Sequence, residues 1–180
     1  LSSYTESMGK DFSMDKNSRE VVKLIAAFHK AAEGYTPPPG GKCKSDWGRW
    51  IEKYRKQCRA LKKYLIQIKD KEDKTRFEKI FVRESDPFIK RMEESIDLLK
   101  KNGYIDVVEE SMKKRQVCLN SFKKNSFYKE NSNINIKSLS KCRYDIIEKD
   151  IAELLQKLLE FKSKRKIEDI AKLIEIYHKE

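Results

Sequence analysis

Long apolar runs are missing from this 180-residue chain. None approaches the ~18 to 20 residues that a membrane-spanning helix needs. The opening stretch LSSYTESMGKDFS lacks the apolar segment of a secretory signal. These absences point to synthesis and retention in a cytosol-like compartment, without a membrane. The chain opens on Leu rather than Met, which points to a shortened or misread N-terminus. Arginine is also scarce, at 10 of the 41 basic residues. Arginine is the preferred reader of phosphates and bases, so a net charge of +12 argues only weakly for nucleic acid. Lysine recurs beside Glu and Asp, as in KDKEDK and FKSKRKIED, the pattern of a solvated helix surface. Cysteine is limited to Cys43, Cys58, Cys118 and Cys142, none at C-x-x-C spacing, and His29 and His178 lie far from them. The close ligand pairs of a zinc site are therefore absent, and the cysteines read as reduced, partly buried thiols. Cys118 and Cys142 become neighbours if the segments around them pair as strands.

What is present is helical periodicity. The length suffices for one domain with a sizeable core. A helix is expected from about Asn17, with Val21, Leu24, Ile25, Phe28 and Ala32 on one face. Gly34 and YTPPPGG end it. A second helix, from about Arg49 to Ile68, buries Trp50, Tyr54, Cys58, Leu61, Leu65 and Ile68. A third pattern carries Phe77, Ile80, Phe81, Phe88, Met92, Ile96 and Leu99 inward, with Pro87 predicting a kink or break near Asp86. A short helix over Tyr104 to Lys114 turns Ile105, Val108 and Met112 inward. Two final helices carry Ile147, Ile151, Leu154, Leu155, Leu158 and Leu159, then Ile167, Ile170, Ala171, Ile174 and Tyr177.

Between the fourth and fifth helices the pattern changes. Val117-Cys118-Leu119 reads as a short strand, and NINIKSL at 133–139 as another, with Ile134 and Ile136 on one face. The two are expected to pair around the polar stretch NSFKKNSFYKEN. Such a loop on a rigid helical bed is a place where enzymes set catalytic groups.

Other features favour plain explanations. His29 has no triad-like partners in sequence and reads as a packing or hydrogen-bonding residue. Trp47, Trp50, Tyr35 and Tyr54 read as loop anchors rather than a stacking platform. KSKRK at 162–166 reads as a solvated turn, and Lys123 and Lys124 as weak phosphate candidates. Glu109 and Glu110 are adjacent, so a helix points them apart.

Four stretches, AAFHKAAEGYTPPPG, WGRW, FIKRMEESIDLLKKNGYIDVVEESMKKRQVC and SKCRYDIIEKDIAELLQKLL, in this order and spacing, resemble the CotS-type spore coat proteins. Those are relatives of the aminoglycoside phosphotransferases and share the protein-kinase-like fold. The resemblance implies a mostly α chain: the helical C-terminal lobe of a kinase-like fold, over residues 16–180, with a small strand-loop-strand insert. Residues 1–15 would be a remnant of the segment joining the lobes, and the nucleotide-gripping N-terminal lobe would be missing.

In such phosphotransferases a catalytic-loop Asp accepts the proton of the attacking hydroxyl, and an Asn five residues later helps hold magnesium. By resemblance, the catalytic loop here falls on Leu119, Asn120 and Ser121, with Ser126 at the Asn position. The second metal-holding acid falls near Ser138 and Ser140. Serine is no carboxylate base near neutral pH, and magnesium favours carboxylates. Asp145 and Asp150 survive at positions that look structural. The resemblance thus implies a catalytically degenerate protein: no enzyme, no nucleotide, metal or other cofactor. It would be made in the cytoplasm and sit in the spore coat, partnered by other coat proteins or by itself. Two other readings stay open: a fragment of a small-molecule phosphotransferase, and a basic helical module binding nucleic acid.

Overall fold

The computed structural model describes residues 13–123, 125–131, 133–160 and 167–180. Most of the expected lead-in, Lys124 and the basic stretch at 162–166 lie outside the described residues. The described residues form six helices: α1 (Ser18–Ala32), α2 (Arg49–Lys69), α3 (Arg76–Lys101), α4 (Tyr104–Lys114), α5 (Glu148–Glu160) and α6 (Ile167–Lys179). Five short strands accompany them: β1 (Lys44–Ser45), β2 (Val117–Cys118), β3 (Phe127–Glu130), β4 (Asn133–Ile136) and β5 (Arg143–Tyr144). The chain divides into two compact units, residues 46–110 and the remainder.

The discontinuous unit builds its core where α1 packs on α6. Val21, Val22 and Ile25 of α1 meet Leu119, Phe122 and Phe127 of the polar stretch and Leu154, Leu158 and Leu173 of the last helices. Met14, just ahead of α1, joins this core at 4% exposure. Apolar residues at 3- and 4-residue steps put one stripe of each helix inward. Gly34, at φ +76°, takes the left-handed turn after α1, and its N–H donates to the Lys114 carbonyl.

Strand pairing differs from the sequence expectation. β2 and β4 do not pair with each other. β5 is the centre of a three-stranded sheet, parallel to β1 and antiparallel to β2. β4 pairs instead with its neighbour β3, Phe127 opposite Ile136 and Glu130 opposite Asn133. The reason is closure: β3 and β4 are joined by two residues, Asn131 being left-handed at φ +46°. A tight hairpin costs less chain entropy than a loop spanning the whole polar stretch.

In the continuous unit α2 and α3 pack together. Here burial is narrower than periodicity predicts. Cys58 and Ile68 of α2 and Ile89 and Ile96 of α3 are buried, whereas Phe77 and Phe88 are each 63% exposed. Helix α3 runs unbroken through Pro87. Proline withholds the donor that the Arg83 carbonyl would otherwise receive, yet tertiary packing of Ser85 and Ile89 on either side holds the helix. Helix α4 is divided between the units: Tyr104 and Val108 are buried and Ile105 exposed in this one, while Ser111 is buried and Met112 exposed in the other. In the other unit, Leu159 and Ile174 are likewise exposed, and Leu173 is buried instead.

The start of α3 is fixed by a reciprocal cap. Thr75 Oγ1 accepts from the Glu78 N–H at 3.2 Å, and the Thr75 N–H donates to Glu78 Oε2 at 2.6 Å. Lys71 Nζ adds a donor to Glu78 Oε1 at 2.9 Å. The Lys71 ammonium and the Thr75 amide hold the Glu78 carboxyl down, from 4.5 to about 2. Two outcomes are expected. Thr75→Ala costs about 1 kcal/mol in urea denaturation, the usual worth of an N-cap. Glu78→Gln lowers the melting temperature at neutral pH, and the gap to wild type closes as pH falls from 4.5 to about 2.

Candidate functional site

The polar stretch between β2 and β5 begins on buried backbone. Cys118 and Leu119 are wholly buried. The Cys118 thiol donates to the Ile146 carbonyl at 3.0 Å, and burial pushes its pKa well above the usual range. The chain then turns at Asn120, left-handed at φ +56°, a conformation that asparagine tolerates better than most residues.

Asp150, in the first turn of α5 and fully buried, holds this turn. Its Oδ2 accepts from the Leu119 N–H, and its Oδ1 accepts from the Asn120 N–H at 3.1 Å. His29 Nε2 reaches the same carboxylate at 3.0 Å, and His29 Nδ1 meets the Tyr177 hydroxyl at 2.7 Å. With the imidazole proton on Nε2, the phenol donates to Nδ1, and the order of donors and acceptors closes. Burial keeps the Tyr177 phenol protonated by pushing its pKa up. One carboxylate thereby ties α1, α5, α6 and the polar turn together. His29 fills the hydrogen-bonding role expected of it. The reach of Asp150 and the part played by Tyr177 escaped sequence reasoning. The signal for Asp150 was an acid beside Ile151 and Leu154, on the apolar side of α5.

Four of the positions expected to be degenerate form two pairs. Ser121 Oγ and Ser126 Oγ lie 2.9 Å apart, and Ser126 Oγ also accepts from the Lys123 N–H at 2.9 Å. Ser126 thus closes a turn, and its carbonyl accepts from the Lys137 N–H. Ser138 donates to Ser140 Oγ at 3.0 Å and accepts from the Ser140 N–H at 3.2 Å, on the exposed strand-to-strand connection. Asn120 Nδ2 is buried without a hydrogen-bond partner among the described residues. Asp145 is fully buried, takes the Ile146 N–H on Oδ1 and pairs with Lys149 at 3.7 Å.

The other candidates are dispersed. Trp50 and Tyr54 pack edge to face on α2 with ring centres 5.5 Å apart. Tyr35 is exposed and gives its carbonyl to the Tyr144 hydroxyl at 2.8 Å. Glu109, Glu110 and Lys123 are exposed.

Residues 7–180 match the family described as "Spore coat putative kinase YutH". The chain belongs to this family. The fold is also that of a solved structure, the aminoglycoside phosphotransferase from Alicyclobacillus acidocaldarius subsp. acidocaldarius DSM 446. The two share 16% identity and superpose with a TM-score of 0.70, over 85% of this chain and 44% of that one. The chain therefore spans less than half the length of that protein, and the shared helical lobe is kinase-like.

A kinase-like fold implies magnesium held beside a nucleotide. The residues here do not fit that ion. Both oxygens of Asp150 are committed to the turn and to His29, and one oxygen of Asp145 is committed to its own helix start. Leu119, Asn120, Ser121, Ser126, Ser138 and Ser140 stand at the other positions where the resemblance expects the catalytic and metal-holding groups, and among the described residues no cluster of three or more His, Cys, Asp or Glu could hold a metal.

The clamp generates a stability prediction. Asp150→Ala strands two backbone donors and His29, and is expected to cost about 3–5 kcal/mol. Tyr177→Phe removes one hydrogen bond and is expected to cost about 1 kcal/mol. Urea denaturation of the three proteins measures both, and equal effects would refute the hierarchy.

Proposed function

We propose that the protein is a non-catalytic component of the spore coat, a kinase-like scaffold that works by docking to other coat proteins and to itself. The observation that carries this reading is the loop composition: Asn120, Ser121, Ser126, Ser138 and Ser140 stand where a phosphotransferase needs acids and amides around its metal. A neutral serine neither takes the proton of an attacking hydroxyl near pH 7 nor replaces a carboxylate on magnesium. Family membership supports the coat as its location.

The surface supports the docking half of the reading. A groove of about 280 Å³ between α2 and α3 is lined by Leu61, Phe77, Ile80, Phe81, Phe88 and Ile89, among others. Ser85 Oγ, beside it, is buried without a hydrogen-bond partner among the described residues. An exposed apolar strip of this kind favours association.

The likeness to an aminoglycoside phosphotransferase favours a second reading, a fragment of a small-molecule kinase. Thermal melting with and without magnesium and ATP separates the two. No saturable rise in melting temperature is expected; a clear saturable rise would sink the non-catalytic reading. Static light scattering is expected to show self-association that grows with concentration and falls in the Phe77→Glu, Phe88→Glu double variant. A clean monomer at high concentration would remove the self-docking claim.

A further inference from the structure

The parallel pairing of β1 with β5 sets Lys44 opposite Arg143 and Ser45 opposite Tyr144. One residue earlier on each segment stand Cys43 and Cys142. Neighbouring strands lie about 4.8 Å apart, and residues in register on parallel strands project to the same face. A disulfide accepts Cα separations of roughly 4.4–6.8 Å, so the register brings these two cysteines within bonding range.

The other cysteines are differently placed. Cys118 lies opposite Arg143 in the antiparallel pair, is wholly buried, and gives its thiol to the Ile146 carbonyl. Cys58 is buried in α2. Cys43 and Cys142 are the two cysteines that are only partly buried. The Cys43 thiol lies 3.8 Å from the Lys44 carbonyl and beside the Tyr144 backbone.

We propose that Cys43 and Cys142 form a disulfide when the protein meets a small-molecule disulfide, a covalent staple between β1 and β5. The thiolate of one cysteine attacks the reagent, forming a mixed disulfide and releasing one thiolate, which takes up a proton. The second cysteine's thiolate then attacks the protein sulfur of that mixed disulfide and expels the second thiol. Two protein thiols are oxidised to one disulfide, and one reagent disulfide is reduced to two thiols.

The electrostatics agree with this proximity. Burial pushes the Cys142 thiol up, with Asp150 and then Cys43 adding to the rise, to about 11. Burial raises Cys43 as well. Neither thiol is activated as a nucleophile, so the pairing is a matter of position. The second step is intramolecular, which is what makes a juxtaposed pair close instead of holding two separate adducts.

The test uses the full chain, incubated with excess oxidised glutathione, blocked with iodoacetamide and cut after glutamate. Cys43, Cys58, Cys118 and Cys142 then fall in four different peptides, 34–52, 53–72, 111–130 and 131–148. The expected result is peptide 34–52 joined to 131–148, separated again by dithiothreitol. Cys43→Ser is expected to abolish the joined species and leave a glutathione adduct on Cys142. The oxidised protein is expected to melt ~5–10 °C higher than the reduced one, because the bond closes a long loop. Separate adducts on Cys43 and Cys142, a bond from Cys142 to Cys118, a bond between two copies, or no reaction would each overturn the proposal. The outcome is independent of whether the protein binds nucleotide.

Discussion

The buried carboxylate of Asp150 is the interaction on which the discontinuous unit depends. A charge removed from water is costly unless donors surround it. Here two backbone amides and an imidazole surround it, and the imidazole is in turn braced by Tyr177. The elements so joined are far apart in sequence: α1, the turn after β2, α5 and α6. Each donor stabilises the carboxylate, and the carboxylate in turn helps to fix each donor.

The clamp also explains how the loop keeps its course whatever side chains it carries. Asp150 grips N–H groups of Leu119 and Asn120, and a backbone amide is the same whatever side chain it bears. Leu119, Phe122 and Phe127 anchor the same stretch from the apolar side. Between these two holds, the side chains at Ser121 and Ser126 do local work, closing their own turn. Shape and reactivity are therefore carried by different atoms. Membership of a spore coat kinase-like family and a phosphotransferase-like fold fit a loop lined with serine for this reason.

Periodicity read the helices well because their cores are one-sided. Residues 104–114 were expected as a helix and are one, and the stripe Val21, Ile25, Leu154, Leu158 lies at the centre of the core. It failed at apolar residues that the packing leaves at the surface. Phe77, Phe88, Ile105 and Met112 keep the spacing of buried residues but are exposed. Pro87 was a sound local signal for a break, overridden by packing along α3. Strand partners were the least legible feature. A two-residue strand such as β5 holds no pattern of its own, and its position between β1 and β2 is set by tertiary structure. The loop residues themselves were legible only through family resemblance, since serine and asparagine in a polar stretch carry no distinctive spacing. The role of Asp150 needed the fold, because its partners come from residues 29, 119 and 120.

The division of the chain has a consequence for its birth. Residues 46–110 form one unit without interruption, whereas the other gathers residues from both sides of that segment. Its small sheet cannot be completed before Tyr144 is made, and the apolar stripe of α1 is fully covered only once α6, more than 130 residues downstream, has joined Leu119, Phe122 and Leu154. On the ribosome, α2 and α3 can settle early through nearby contacts, while α1 waits for partners from Leu119 onward. The nascent polypeptide thus carries an exposed sticky helix while the intervening segment is made, and a chaperone that shields Val21, Val22 and Ile25 would act at the stage of greatest risk.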